Sequence, residues 1–437
     1  MQQYKSLTLR RNFSWTFVGN AVYAACQWGM LMVLAKLGSP EMVGQFTLGL
    51  AITAPVFMFT NLDLRHVQAT DAKSQYLFSD YLGLRIVSTL LALVVIVGIT
   101  FKAGYNWETS LAIFLVGLAK AFESISDVFY GLFQQNERMD RIAFSLMIRG
   151  PLSLLLLGIG VYMSGRVVWG VVGLAMAWAV VLLGYDLRNG RLLLNHLRAM
   201  PQDERGRKGE QAFALRPQWQ KRTLTKLVWL ALPIGFTMAL ISLNSNIPRY
   251  FIEQNLGQRE LGVFAAIAYL MVAGSMVVTA LGQSATPRLA KYYADGNGIA
   301  FRTLLIKMVG IATLLGGIAV LLALVAGKEI LTVLYQPEYA QHQNLFVWLM
   351  VAAGIGYVSS FLGYGIAAAR YFRIQVPLFA LVTTSSAIAC LWLLPIYGLP
   401  GAAFALMISG IVQAVLSVGV LFQILRRLNR QQEEVTL

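Results

Sequence analysis

Twelve apolar runs, each near 20 residues, follow one another along the chain at roughly 12–34, 41–62, 81–101, 109–131, 143–163, 168–187, 225–246, 260–282, 302–326, 344–367, 375–394 and 399–425. A run of that length spans the hydrocarbon core of a bilayer as a helix. Lipid offers no water to backbone N–H and C=O groups, so a spanning chain is limited to helices or a closed barrel. These runs are too long for barrel strands and lack their alternation. Composition agrees: of 437 residues 57% are hydrophobic and 13% charged, against about 25% charged in soluble domains. The expectation is an all-α integral membrane protein with about 12 transmembrane helices.

The formal net charge of +15 raises the class of nucleic-acid binders, and the positions of the charges exclude it. With Met1 in the cytoplasm, 28 Lys and Arg fall on cytoplasmic ends and loops. Six (Lys36, Lys102, Arg166, Arg249, Arg259 and Lys328) fall outside, and Lys120 completes the 35. That is the positive-inside bias of a multi-pass membrane protein, with both termini cytoplasmic. The first run exceeds the usual signal-peptide core, and "YAAC" at 23–26 is a poor lipoprotein cleavage site, so the run is read as a retained helix. Cys26 and Cys390 lie inside runs and read as small buried apolar residues. His66, His196 and His342 are far apart in sequence and are expected in solvated loops.

The longest polar break separates six runs from six. The expected organisation is an N-terminal six-helix lobe at 1–187, a cytoplasmic basic linker at 188–224, a C-terminal six-helix lobe at 225–425 and a cytoplasmic tail at 426–437. The halves echo each other. "LGSPEMVGQF" (37–46) matches "LGQRELGVF" (256–264), "YG" at 130–131 recurs at 364–365, and "GVVGLA" (170–175) recurs as "GLPGAA" (398–403). An even number of helices per copy makes the repeats parallel, related by an axis along the membrane normal. Two pseudo-symmetric bundles of this kind are expected to form a central cleft.

"GLAKAFESISDVFYG" (117–131) places Lys120, Glu123 and Asp127 inside an apolar run. Each costs about 2.5–3.5 kcal/mol at the centre of an inserted helix. At 100° per residue the three share an arc of about 60°, which Gln134 extends. Phe122, Ile125 and Phe129 take the opposite side, which is expected to face lipid. The stripe is either a cavity wall or a pair that pins helix packing. Arg85, Arg149, Arg249 and Lys307 also enter or border runs. Arg85, Arg149 and Lys307 either reach the cleft or snorkel to the cytoplasmic surface, and Arg249 has Glu253 at i+4 as an ordinary partner. Cations near a cleft suit an anionic substrate, Arg suiting phosphate through its planar fork. Asn20, Gln27, Ser242, Asn244, Ser245 and Asn246 are placed either to bond sugar hydroxyls or to bond each other across helices. Pro151 and Pro233 are candidate hinges; Pro55, Pro248, Pro377 and Pro395 interrupt or cap runs.

No G-x-x-x-x-G-K-[ST], H-E-x-x-H, Cys/His cluster or G-x-S-x-G occurs, so no ATP-driven pump, metal site, cofactor or serine hydrolase is expected. The outer loops of the first half, 35–40, 102–108 and 164–167, are too short for a catalytic domain. That weighs against a membrane glycan polymerase or glycosyltransferase.

The stretch 11–65, opening "RNFSWTFVGNAVYAACQWG", resembles bacterial polysaccharide-export flippases (Wzx-type translocases of O-antigen and capsule) of the multidrug/oligosaccharidyl-lipid/polysaccharide superfamily. The likeness continues through "YLGLRIVS" (81–88), "YGLFQQNERMDRIAFSLMIRG" (130–150), "SNIPRYFIEQNLGQRELGVFAAIAYL" (245–270) and "GQSATPRLAKYY" (282–293). The resemblance implies two six-helix lobes around a V-shaped cleft in the bacterial inner membrane. It also implies transfer of undecaprenyl-diphosphate-linked oligosaccharide between leaflets, with membrane lipids, a polysaccharide polymerase and a chain-length regulator as partners. It makes Arg85, Lys120, Arg149 and Arg249 candidates to meet the diphosphate or acidic sugars. Many relatives have an acidic residue before the basic one in the seventh span; here Pro248 precedes Arg249, which leaves Glu123 and Asp127 as candidates for ion coupling. A multidrug-and-toxin exporter of the same architecture is the alternative, and it would favour an acidic lumen.

Overall fold

The computed structural model describes residues 8–71, 75–199, 215–371 and 374–436. Lys5, Lys73, Arg373 and the middle of the expected linker, 200–214, lie outside the described residues. Among the described residues there is no strand, and each of the twelve expected runs falls on helix. Among the described residues, eleven helical segments are long and apolar enough to cross a membrane. The remaining run belongs to Trp107–Gln135, which has the length but carries Lys120, Glu123 and Asp127.

The chain divides into two compact units, Met1–Ser242 and Leu243–Leu437. The first holds α1 (Leu9–Leu37), α2 (Pro40–Thr60), the short α3 (Leu64–Thr70), α4 (Phe78–Ala103), α5 (Trp107–Gln135), α6 (Met139–Ser164) and α7 (Val167–Val181). A π-turn, Leu182–Asp186, then leads into α8, Leu187–Ala199. The expected linker therefore begins as a helix. The first part of α9 (Lys221–Leu256) packs with this unit, Leu227 and Ala231 joining the core cluster of Leu64, Tyr81, Phe129 and Phe133. The second unit holds the rest of α9, then α10 (Gln258–Tyr269), α11 (Met271–Ala294), α12 (Gly298–Leu334), a 3₁₀ turn (Pro337–His342), α13 (Gln343–Ala368), α14 (Gln375–Tyr397) and α15 (Leu399–Thr436). Its core gathers Phe301, Ala312, Phe361, Val382 and Ile424.

Local chemistry fixes the ends. The Asn106 side chain accepts from the Thr109 N–H at the start of α5, and Asn297 from Ala300 at the start of α12, supplying the acceptor that a first turn lacks. Left-handed Gly104 (φ 67°) and Gly165 (φ 65°) close α4 and α6. α6 and α9 run unbroken through Pro151 and Pro233. Non-helical backbone occurs instead within α12, at Ala326 (φ −122°, ψ 17°), a helix without proline. The expected span 260–282 is divided at Leu270 into α10 and α11. The histidines differ from expectation too: His66 lies on α3, His196 on α8, and His342 closes the 3₁₀ turn.

Lipid is as apolar as a leucine side chain, so membrane helices gain little from burial and associate through close packing. The crossing of α6 and α7 shows this. A Cβ added at Gly160 would stand 2.4 Å from the Trp169 carbonyl oxygen, and one at Gly173 would stand 2.4 Å from that of Leu156. Backbone cannot yield as a side-chain tip does. Gly160→Ala or Gly173→Ala is expected to destabilise by about 1–3 kcal/mol, read as a lower melting temperature in detergent. Gly98→Ala, with nothing within 4 Å, should be silent; equal melting of all three variants would refute this packing argument.

Candidate functional site

α5 is enclosed by α2, α3, α4, α6, α7, α8 and the π-turn. That enclosure explains how it tolerates three charges, and it corrects one expectation. Phe129 is buried, and Phe122 and Ile125 pack against the same core cluster; they face protein, not lipid. The helix is central, so both of its sides find partners.

The charged stripe on α5 is divided between two sets of neighbours. On one, the Lys120 Nζ donates to Glu123 Oε2 at 2.7 Å, and the Tyr23 hydroxyl of α1 donates to Glu123 Oε1 at 3.2 Å. Asn20 and Gln27 lie three and four residues from Tyr23, on the same side of α1. Asn20 is exposed and donates to the Thr16 carbonyl, while Gln27 is half-buried. On the other, the Asp127 Oδ2 accepts from Arg85 Nη2 at 3.0 Å, and its Oδ1 lies 3.7 Å from Arg65 Nη1. Arg65 also donates through Nε to Gln134 Oε1 at 3.1 Å, so the stripe does extend to Gln134. Ser124, Thr89 and Asn61 complete this set: the Ser124 Oγ donates to Asn61 Oδ1 at 2.6 Å and lies 3.1 Å from Thr89 Oγ1.

The turn between α2 and α3 makes this possible. Leu62 (φ 52°) and Asp63 (φ 49°) are both left-handed, a conformation that costs a non-glycine residue about 1–2 kcal/mol. The reversal brings Asn61 and Arg65, four residues apart, onto α5 together. In the sequence Arg65 is only a loop cation, because nothing local reports this turn.

Two aromatic rings link the sets. The Tyr130 ring has the guanidinium carbons of Arg65 and Arg149 each 5.5 Å from its centroid. The Trp178 ring has Arg149 at 5.5 Å and Lys120 at 5.2 Å. All four lie within cation–π range. Arg149 Nη2 donates to Asp186 Oδ2 at 3.2 Å. Asp186 ends the π-turn, a distortion often found at functional positions; in the sequence it is merely the polar end of an apolar run. The network holds the cations Arg65, Arg85, Lys120 and Arg149 against the carboxylates Glu123, Asp127 and Asp186, and Asp63 of the turn acts on Arg85 as a fourth acid, so the two signs balance.

Exposure sorts these groups. The side chains of Arg65 (27%), Asp127 (26%), Lys120 (25%) and Glu123 (28%) are partly open, whereas Arg85, Arg149 and Asp186 are closed off. Neither Arg85 nor Arg149 snorkels to a surface or opens to a cavity, which corrects both alternatives: each is closed off and held by a carboxylate. Lys307 is exposed on α12. In the second unit Asn246 is buried and accepts from Arg249 Nη1 at 2.8 Å. Among the described residues no group of His, Cys, Asp and Glu is suited to hold a metal ion.

A family model described as polysaccharide biosynthesis protein matches residues 9–293. The capsular polysaccharide biosynthesis protein CapF of Staphylococcus aureus is 29% identical over 412 residues, covering 93% of this chain and 97% of that protein. Among solved structures, a multidrug resistance MATE family transporter of the MOP superfamily, captured facing inward, superposes with a TM-score of 0.70 at 15% identity. The match covers 95% of this chain and 99% of that one. A point mutant of the Vibrio cholerae MATE transporter VcmN gives a TM-score of 0.63 at 15% identity over 96% and 97% of the two chains. The chain thus shares the fold of these transporters.

Proposed function

From the premise that this chain belongs to the polysaccharide biosynthesis protein family, we propose that it is a flippase for undecaprenyl-diphosphate-linked oligosaccharide. It works in the bacterial inner membrane with both termini in the cytoplasm. It exposes its polar site first to one side and then to the other, for O-antigen, capsule or exopolysaccharide assembly. The observation that carries this reading is the stripe of Arg65, Lys120, Glu123 and Asp127, partly open among apolar membrane-spanning helices, which offers cations to a diphosphate and carboxylates to sugar hydroxyls. A polyprenyl chain needs no help in lipid; its diphosphate and sugars do. Removing such a headgroup from water costs many kcal/mol unless charge and hydrogen bonds replace the hydration. Arg65 and Lys120 are placed to meet anionic oxygens. Glu123 and Asp127 are placed to receive sugar hydroxyls, or a coupling proton, when the cations turn to substrate. Arg85, Arg149 and Asp186 hold this array in register. On this reading the protein moves its substrate and leaves it chemically unchanged.

The family match and the likeness to a capsular polysaccharide biosynthesis protein over 93% of this chain favour this reading over an exporter of cationic drugs. Deleting the gene should remove a surface polysaccharide and cause lipid-linked oligosaccharide to accumulate on the inner leaflet, both reversed by the intact chain. Drug sensitivity should be unchanged. A deletion strain with normal surface glycan and new drug sensitivity would instead support the multidrug alternative.

A further inference from the structure

A second basic surface lies outside this network, at the end of the first unit where α7 gives way to α8. Viewed around the α8 axis, Arg188 and Arg191 occupy the exposed side, bordered by exposed Leu187 and Leu192, while Leu193 and Leu194 are buried. The segment entering α9 carries Arg216, Lys221 and Arg222, all exposed, and Trp219, 54% exposed. The two stretches are mounted on one core: Leu193, Leu194, Leu215, Leu224 and Leu227 all belong to the cluster around Phe78 and Tyr81. The approach to α9 is further tied down where the Gln218 N–H donates to the Ser79 carbonyl at 3.0 Å, at the first turn of α4. Neither 187–199 nor 215–230 contains an acidic residue. The three acids of this break, Asp203, Glu204 and Glu210, fall between the two stretches and lie outside the described residues.

We infer that α8 and the approach to α9 form a docking surface for anionic phospholipid headgroups of the cytoplasmic leaflet. Charge complementarity selects the occupant: exposed cations with bordering leucines and an exposed indole match a headgroup layer, where tryptophan and arginine are favoured. A soluble polyanion would use the cations and leave Leu187, Leu192 and Trp219 idle. This inference does not depend on what the transporter carries.

The test uses the full chain in nanodiscs of phosphatidylcholine alone or mixed with phosphatidylglycerol. Phosphatidylglycerol should raise the melting temperature of the native protein and remain bound in native mass spectra, both effects weakening as salt screens the charges. The variant R188Q/R191Q/K221Q/R222Q should melt like the native protein in phosphatidylcholine and lose the phosphatidylglycerol response, at about fivefold in lipid retention per charge removed. Should that variant fail to fold, R188Q/R222Q serves, with R188K/K221R as the charge-preserving control expected to behave as native. Equal phosphatidylglycerol responses in neutralised and native chains would overturn the inference. So would inorganic phosphate reproducing the shift in phosphatidylcholine, which would make the surface a free-anion site.

Discussion

Asp186→Leu should destabilise the protein by about 3–5 kcal/mol, the usual consequence of leaving one member of a buried ion pair uncompensated. Arg149 and Asp186 are each no more than 1% exposed, with 3.2 Å between Nη2 and Oδ2. Arg149 also leaves Nε and Nη1 without a hydrogen-bond partner among the described residues, so Asp186 is its main compensation beyond the Tyr130 and Trp178 rings. Arg149→Met in the same background should restore most of the loss, because two well-packed apolar side chains cost no more than a desolvated pair. Thermal or denaturant unfolding in detergent micelles measures both. A single variant as stable as the parent, or a double variant no better than the single, would show that the pair does not hold α6 to the π-turn.

The second large effect falls on transport. Lys120→Gln and Arg65→Gln should each cut export of lipid-linked oligosaccharide about 10- to 100-fold, since a hydrogen bond to a charged group contributes about 1.5–3 kcal/mol. Each change also leaves a carboxylate of the stripe with one partner fewer, so stability is measured on the same variants. Lys120→Arg should recover much of the activity. Accumulated lipid-linked intermediates, surface polysaccharide and protein abundance in the membrane separate the two effects. Normal export from a chain lacking both cations would remove the stripe from the transport path.

The helix count is legible in the residues, because a bilayer imposes length and apolarity on every span. The Lys120–Glu123–Asp127 stripe is legible because helical periodicity needs no tertiary contact. The side of α5 bearing Phe122 and Phe129 reads wrongly as lipid-facing, since an apolar helix face looks the same whether lipid or protein covers it. Arg65 and Asp186 escape notice for a related reason. One is delivered by a left-handed turn at Leu62 and Asp63, the other by a π-turn, and neither distortion has a strong local signature.

The amino-acid order alone determined that this chain spans a membrane as helices, that its charges favour one side, and that one helix carries ionic groups through the apolar region. These follow from solvent physics acting residue by residue. Only the tertiary structure decided that α5 is enclosed, that Arg85 and Arg149 are closed off by Asp127 and Asp186, and that Arg65 and Lys120 keep an open side. The physical reason is that a charge in a low-dielectric interior takes its role from whichever opposite charge lies within a few ångströms. Here those partners are 37 and 42 residues away along the chain.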